Sequence, residues 1–253
     1  MSDHQPPKRR RRSSHVRRRR SADPQRPDAE MLLRAYVHGA FPMAASADGP
    51  IHWLIPDPRG ILPLDRLHVP RSLARVVRSG RFTIRIDHDV EAVMRACAGD
   101  RISAVRKKRV DHDGRVIEHP VGHPVGGEFS GGWMSEPLLD AYIELAKRRH
   151  VHSVEAWLDT EHGLRLVGGL YGVRIAAAFF GESMFCRPDL GGTDASKVCL
   201  VHLVERLRRG GFRLLDTQMV TEHMRRFGTI EIDHEDYMRL LESALEKEAT
   251  WSD

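Results

Sequence analysis

A chain of 253 residues with 41% hydrophobic and 30% charged content can bury one substantial core or two small ones and reads as a soluble globular protein. No apolar run is long enough to span a bilayer, no signal-peptide-like segment opens the chain, and the three cysteines form neither a CxxC pair nor an even set; no membrane span is expected, the cysteines indicate neither a disulfide framework nor a zinc site, and a reducing cytosol fits best. The net charge of +5 is unevenly placed, because residues 1–20 carry nine basic groups (Lys8, Arg9 to Arg12, Arg17 to Arg20) against Asp3 alone, and the rest of the chain is mildly acidic.

That arm, residues 1–27, holds too few apolar side chains to fold alone and is expected to be disordered. Such arms attract polyanions such as RNA by releasing counterions from phosphates, or serve only as a solvated tail. Order is expected from residue 28. Met31, Leu32, Ala35 and Tyr36 recur at helical spacing between an Asp28 N-cap and a Gly39 stop. Residues 50–70 are Pro-rich and read as extended loops and short strands. Ser72 to Ser79 reads as a helix closed by Gly80, and Phe82, Ile84 and Ile86 alternate with Thr83 and Arg85 as a half-buried strand. Val90, Val93, Met94 and Cys97 mark one helix face. Residues 28–100 are thus expected to form a small α/β unit. Residues 101–130 read as an inserted hairpin or loop, with Arg106, Lys107, Lys108 and Arg109 ahead of Asp113-Gly114, a type I′ turn signal.

A second unit is expected over 131–253. Ser135 is placed to cap a helix that turns Leu138, Leu139, Tyr142, Leu145 and Ala146 inward. Val154, Ala156 and Leu158 alternate as a strand. Leu164 to Val173 and Ile175 to Phe180 read as neighbouring strands with their turn near Val173-Arg174-Ile175. Ser196 to Arg209 is a helix ended by Gly210-Gly211, and Phe212 to Leu215 a short buried strand. Thr221 caps a brief helix, Ile230 to Ile232 is a strand, and Asp233 caps a last helix with Tyr237, Leu240, Leu241, Ala244 and Leu245 inward. This mixed order predicts an α+β or α/β layered fold.

The stretch Leu166 to Phe185 carries four glycines and ends on Glu182-Ser183, the pattern of an apolar slot with a polar group at its mouth. A carboxyl beside Phe179, Phe180, Met184 and Phe185 is desolvated and favours its neutral form unless a partner pairs it. Asp216 and Gln218 follow the strand at 212–215, either in a ligand crevice or as a turn-forming Asp and an exposed Gln. Arg71, Arg75 and Arg78 share a helix face away from Leu73, Val76 and Val77, with Arg66 and Arg81 to either side; the row suits phosphates, or is a solvated face. No aromatics interleave it, which favours structured RNA over single strands. Of the fifteen histidines only His150 and His152 alternate, as a metal-ligating pair or as one packed and one exposed ring. Gly168, Gly169 and Gly172 do not form GxGxxG, and Ser183 is not in GxSxG.

The ordered segments AYVHGAFPM (35–43), WLIPDPRGILPLDRLHVPRSL (53–73), RACAGDR (95–101), HSVEAW (152–157), LVGGLYG (166–172), FFGESMF (179–185), ASKVCL (195–200), GGFRLLDTQ (210–218) and TEHMRRFG (221–228) resemble the leucyl/phenylalanyl-tRNA–protein transferases over roughly residues 30–245. The resemblance implies transfer of Leu or Phe, less readily Met, from aminoacyl-tRNA to proteins beginning with Arg or Lys, marking them for N-degron degradation. It implies an acetyltransferase-like (GNAT) domain after the small N-terminal domain, a cytoplasmic monomer, and neither metal nor soluble cofactor. It places an aminoacyl pocket at Met43, Trp133, Leu170, Phe179, Gly181 and Glu182, with Leu203 and Leu207 below, a catalytic pair at Asp216 and Gln218, and tRNA contacts at Arg71, Arg75 and Arg78. Many members carry Trp in place of Met43 and Phe in place of Leu203 and Leu207. The donor ester is already activated, so the task is mostly positioning. Gln218 is expected to orient the amine while Asp216 polarises Gln218 or takes a proton through water, and Glu182 to hold an acceptor cation. Three other readings are a transferase joining Leu to N-terminal Asp or Glu, a non-catalytic RNA-binding protein of GNAT-like fold, and acyl transfer from a thioester carrier, for which the Gly-rich pyrophosphate loop is missing.

Overall fold

The structure, a computed structural model, describes residues 26–44, 49–98 and 134–251 and the two short strands at 109–110 and 116–117. Asp28 accepts from the Met31 N–H at 2.8 Å and opens α1 (Ala29–Val37), which ends ahead of Gly39 at φ 76°. β1 (Phe41–Ala44) and β2 (Ile51–Leu54) form an antiparallel ribbon of their own. β3 (Arg59–Ile61), α2 (Arg71–Arg78), β4 (Thr83–Ile86) and α3 (Val90–Ala98) follow. β5 (Arg109–Val110) and β6 (Val116–Ile117) pair antiparallel around the expected Asp113-Gly114 turn, which itself lies outside the described residues. Then come α4 (Glu136–Lys147), β7 (Val151–Thr160), β8 (Gly163–Ile175), β9 (Ala178–Cys186), α5 (Ala195–Arg209), β10 (Leu214–Gln218), α6 (Glu222–Arg225), β11 (Ile230–Ile232) and α7 (His234–Leu245).

Seven strands form one mixed sheet in the order β11–β3–β10–β9–β8–β7–β4. β9 and β10 run parallel, and the other neighbours are antiparallel. A parallel pair needs a long crossover, and α5 supplies it. β3 and β4, both from the first hundred residues, are hydrogen-bonded into the sheet formed by the second half of the chain. The fold is mixed α and β, as expected.

Two apolar cores lie on the two sheet faces. One packs Leu32, Tyr36, Met94, Leu138, Tyr142 and Leu241 of α1, α3, α4 and α7 against Tyr171, Val173 and Phe180. The other packs Leu73 of α2 and Val198, Leu203 and Leu207 of α5 against Leu170 and Phe179. Neighbours on a strand point to opposite faces, so Phe179 and Phe180 fill different cores. A strand buried on both faces reads as a continuous apolar run, which accounts for the stretch at 166–185, where Arg174 and Glu182 are the two charged residues.

The same continuity explains a displaced turn. β8 runs on to Ile175 and the reversal falls at Ala176 and Ala177, with Ala176 at φ 51°, because no Gly, Pro or Asn marks the spot. β10 begins at Leu214 and takes in both Asp216 and Gln218, which were expected just past the strand. Ser135 precedes α4 but makes no capping hydrogen bond and is buried. Leu240, expected in the core, is 42% exposed; Tyr237, Leu241 and Ala244 carry the inner face of α7. Among the described residues no helix is long and apolar enough to cross a membrane.

Two glycines of the run serve close packing. A Cβ on Gly168 would lie 2.5 Å from Ala195 Cβ, and one on Gly172 would lie 2.3 Å from Phe179 Cε1 and 2.4 Å from the Phe180 carbonyl oxygen. The second clash involves backbone that cannot give way. Gly172→Ala is therefore expected to lower stability by about 2 kcal/mol or more, measured as a shift in the denaturant midpoint, and an unchanged midpoint would disprove the close packing.

Candidate active site

Asp216 is wholly buried, and so is its partner Arg59. Arg59 reaches across from β3 with a bidentate grip, Nε to Oδ1 at 3.1 Å and Nη2 to Oδ2 at 2.6 Å. Tyr237 of α7 donates its hydroxyl to Oδ2 at 2.7 Å, and the backbone N–H of Gln218 donates to Oδ1 at 2.7 Å. Four donors thus occupy the two carboxylate oxygens. Arg59 spends a further N–H on the Gly39 carbonyl at 2.6 Å and lies over the Tyr237 ring at 4.5 Å. Burial works against the guanidinium charge, but Asp216 outweighs it and holds Arg59 above its ordinary value.

The hydrogen bond from Gln218 N–H to Asp216 accompanies a bulge. Opposite β3, the register shifts between Asp216 and Gln218, and Gln218 takes φ 55°, a left-handed conformation uncommon for a side chain of its size. Past the Phe180–Asp216 pairing, the parallel partners β9 and β10 have no further registered pairs. Gly181, Glu182, Ser183 and Met184 beyond that point are all half-buried. Across this splay the Gln218 amide donates Nε2–H to Glu182 Oε1 at 3.1 Å.

Glu182 continues the polar chain on the other side. Its Oε2 accepts from Tyr142 Oη at 3.0 Å, and the Tyr142 and Tyr36 hydroxyls lie 2.6 Å apart. Desolvation pushes the Glu182 carboxyl up to about 7, while the Tyr36 and Tyr142 phenols act in the opposite direction. Burial also raises both phenols well above their ordinary value, so they stay protonated donors.

The structure therefore brings Glu182, Gln218 and Asp216 into one hydrogen-bonded chain. The apolar set is placed differently. Leu170, Phe179, Leu203 and Leu207 lie together, almost fully buried, in the core on the α5 side, whereas Glu182 faces the tyrosines on the α1 and α4 side. Gly181, half-buried at the splay, is the position between the two; its missing side chain would point to the Asp216 carbonyl and Leu215. Met43 is half-buried on β1, opposite His52, and belongs to neither core. Trp133 lies outside the described residues.

Arg71, Arg75 and Arg78 are exposed along α2 and have no ion-pair partner among the described residues; the helix carries no acid in its first turn. Three arginines in or at the end of other helices are paired within a turn, Arg95–Glu91, Arg148–Glu144 and Arg226–Glu222. His150 and His152 are engaged separately, with the Arg174 carbonyl and with Asp87. Among the described residues no group of three or more His, Cys, Asp or Glu is placed to hold a metal ion.

Sequence reading missed Arg59, Tyr237, Tyr142 and Tyr36 as parts of this chain. The three tyrosines fall at helix positions that pattern assigns to the core, and Arg59 falls in a Pro-rich stretch of sequence with no local partner. The available signal was Asp216 itself, because a carboxylate on an apolar strand needs a cation.

The assembly of a buried carboxylate, an amide and a half-buried carboxyl at a strand splay is suited to orienting an amine, the task of an acyl-transfer enzyme. The sequence profile of the family "Leucyl/phenylalanyl-tRNA protein transferase" matches residues 61–109 and 107–242, and that of the family's N-terminal domain matches residues 26–57. A leucyl/phenylalanyl-tRNA–protein transferase of Paramagnetospirillum magneticum is 48% identical over 226 residues, which cover 89% of this chain and 92% of that protein. The chain belongs to the leucyl/phenylalanyl-tRNA–protein transferase family, and so to the aminoacyltransferases.

Glu182 makes a testable link between the site and stability. Its folded value of about 7 lies above the ordinary 4.5, so between those limits the native state holds a proton that the unfolded chain has lost. Stability is expected to fall as pH rises from about 4.5 to about 7. Glu182→Gln is expected to flatten that slope, read from denaturant midpoints at pH 5 and pH 8; an equal slope in both proteins would show that Glu182 is not the group responsible.

Proposed function

We propose that the protein transfers Leu or Phe, and less readily Met, from aminoacyl-tRNA to the N-terminal Arg or Lys of proteins, marking them for N-degron degradation. The observation that carries this reading is the Gln218–Glu182 hydrogen bond across the β9–β10 splay, braced by buried Asp216 and Arg59. Because Gln218 gives its Nε2–H to Glu182, its Oε1 is left to accept from the acceptor's α-amine. That amine, with a pKa of about 8, hands its extra proton to Glu182, whose own value of about 7 is close by. The free amine nitrogen then attacks the ester carbonyl carbon. An amide C–N bond forms, the ester C–O bond breaks, and the remaining amine proton ends on the released ribose hydroxyl of the tRNA. Asp216 acts here as a positioning residue: its contact with Gln218 is to the backbone N–H, and both of its oxygens are already engaged.

The donor side chain enters past Gly181 and is received by Leu170, Phe179, Leu203 and Leu207. Branching at Cβ would crowd such a slot, which favours Leu and Phe over Ile and Val. The unpaired row Arg71, Arg75 and Arg78 grips tRNA phosphates. Residues 131–253 serve as the acetyltransferase-like half, a reading supported by the parallel β9–β10 pair joined through α5, and residues 28–100 as the smaller N-terminal unit. A charged-tRNA donor supports a cytoplasmic location. The half-acidic site favours a cationic acceptor over N-terminal Asp or Glu.

The deciding experiment incubates the purified protein with labelled Leu-tRNA and peptides that differ only in their first residue. Label is expected on peptides starting with Arg or Lys. Label only on Asp- or Glu-first peptides would replace the acceptor assignment, and no transfer to any peptide would overturn the reading. Reversing Arg71, Arg75 and Arg78 to Glu is expected to weaken tRNA binding and to reduce the salt slope of log K by about one for each phosphate that is no longer neutralised. An unchanged slope in a binding titration would make the row an ordinary solvated face.

A further inference from the structure

The segment after α7 folds back across the sheet as a strap. Thr250 N–H donates to the Gly210 carbonyl at 2.9 Å, the Ala249 carbonyl accepts from Arg174 Nη2 at 2.5 Å, and the Trp251 carbonyl accepts from Arg206 Nη1 at 2.5 Å. The Trp251 indole N–H donates to Asp87 Oδ2 at 2.7 Å, the oxygen that also holds His152 Nδ1 at 2.7 Å. The indole is thereby fixed at both its backbone and its ring and is only 8% exposed. Its ring stacks on Phe179 at 5.4 Å and 9°, and Phe212 stands edge-on to both at 6.3 Å. Phe179 in turn fits only because Gly172 carries no side chain. The ring of Phe179 therefore has no freedom to tilt away from whatever lies beside it in the core it shares with Leu203 and Leu207.

We infer that Trp251 is a specificity-determining residue: it backs the Phe179 wall of the donor slot and so sets how large an aminoacyl side chain the slot accepts. The inference rests on the proposal that Phe179, Leu203 and Leu207 receive the donor. Trp251 touches the donor only through Phe179, so its effect is to fix a wall rather than to take part in bond making. A shallower residue at 251 leaves space behind Phe179, and the slot deepens toward bulky aromatic donors at the expense of Leu.

The test measures kcat/KM for Phe-tRNA and Leu-tRNA with one Arg-first peptide, using the full chain and the variants Trp251→Leu, Trp251→Phe and Leu203→Phe. Trp251→Leu is expected to raise the Phe-to-Leu ratio about tenfold or more, and Trp251→Phe to raise it by a smaller factor, because one methylene of pocket space is worth about tenfold or more in discrimination and the effect through Phe179 is greater the more volume is removed. Leu203→Phe fills the same space and is expected to lower the ratio. A purely structural strap would reduce both donors alike and leave the ratio unmoved, so an unmoved ratio in both Trp251 variants with a shifted ratio in Leu203→Phe overturns the inference and spares the slot. An unmoved ratio in all three overturns the slot itself. Trp251→Phe keeps an aromatic ring on Phe179 and gives the reading if Trp251→Leu does not fold.

Discussion

A carboxylate with no access to water dictates much of this structure. Moving Asp216 and Arg59 out of solvent costs several kcal/mol for each ion, on the order of what a whole domain holds in reserve. Only complete hydrogen bonding offsets that cost, and here it is complete: two guanidinium bonds, a phenol and a backbone N–H meet the two oxygens. The donors come from β3, α7 and the bulge of β10. Two apolar side chains would fill the space with a smaller desolvation penalty, but they would not hold the N–H of Gln218. The left-handed turn at Gln218, and with it the direction of its amide, follows from the buried pair.

Helix boundaries were legible because their causes are local. Asp28, Thr221 and Asp233 each accept from the N–H three residues on, and each opens the helix expected of it. Strand ends were less legible where tertiary packing overrides punctuation. Ala176 turns the chain between two apolar strands without any residue that favours turning, and Leu240 falls beside Leu241 at a spacing that cannot tell an inward from an outward position. The apolar run and the strand at 212–215 singled out Glu182, Asp216 and Gln218, and the resemblance added expected roles, but neither gave their geometry. Arg59 lies 157 residues from Asp216 in sequence, and the hydroxyls of Tyr36 and Tyr142 add nothing to an apolar pattern. Periodicity records where a ring is buried and is blind to the oxygen at its tip.

Charge placement distinguishes α2, with its row of three exposed arginines on one face, from the helices that pair theirs. The pairs Arg95–Glu91, Arg148–Glu144 and Arg226–Glu222 contribute only about 0.3–0.5 kcal/mol each, yet they cancel the field of the surfaces that bear them. Among the described residues Arg71, Arg75 and Arg78 of α2 have no such partners. Its Leu73 packs into the core beside α5 while three guanidinium groups remain in water, so its electrostatic field extends outward over about a Debye length, 8 Å at physiological salt. The same division, an anchored apolar stripe and an uncompensated basic one, suits a ligand whose charge is spread along a backbone.

The polar chain also sets the order in which this part of the fold can be completed. Tyr36 is made before Glu182 and Gln218, and Tyr237 after them, yet all four belong to one continuous set of hydrogen bonds. A nascent chain cannot complete that set until its last helix has emerged and docked.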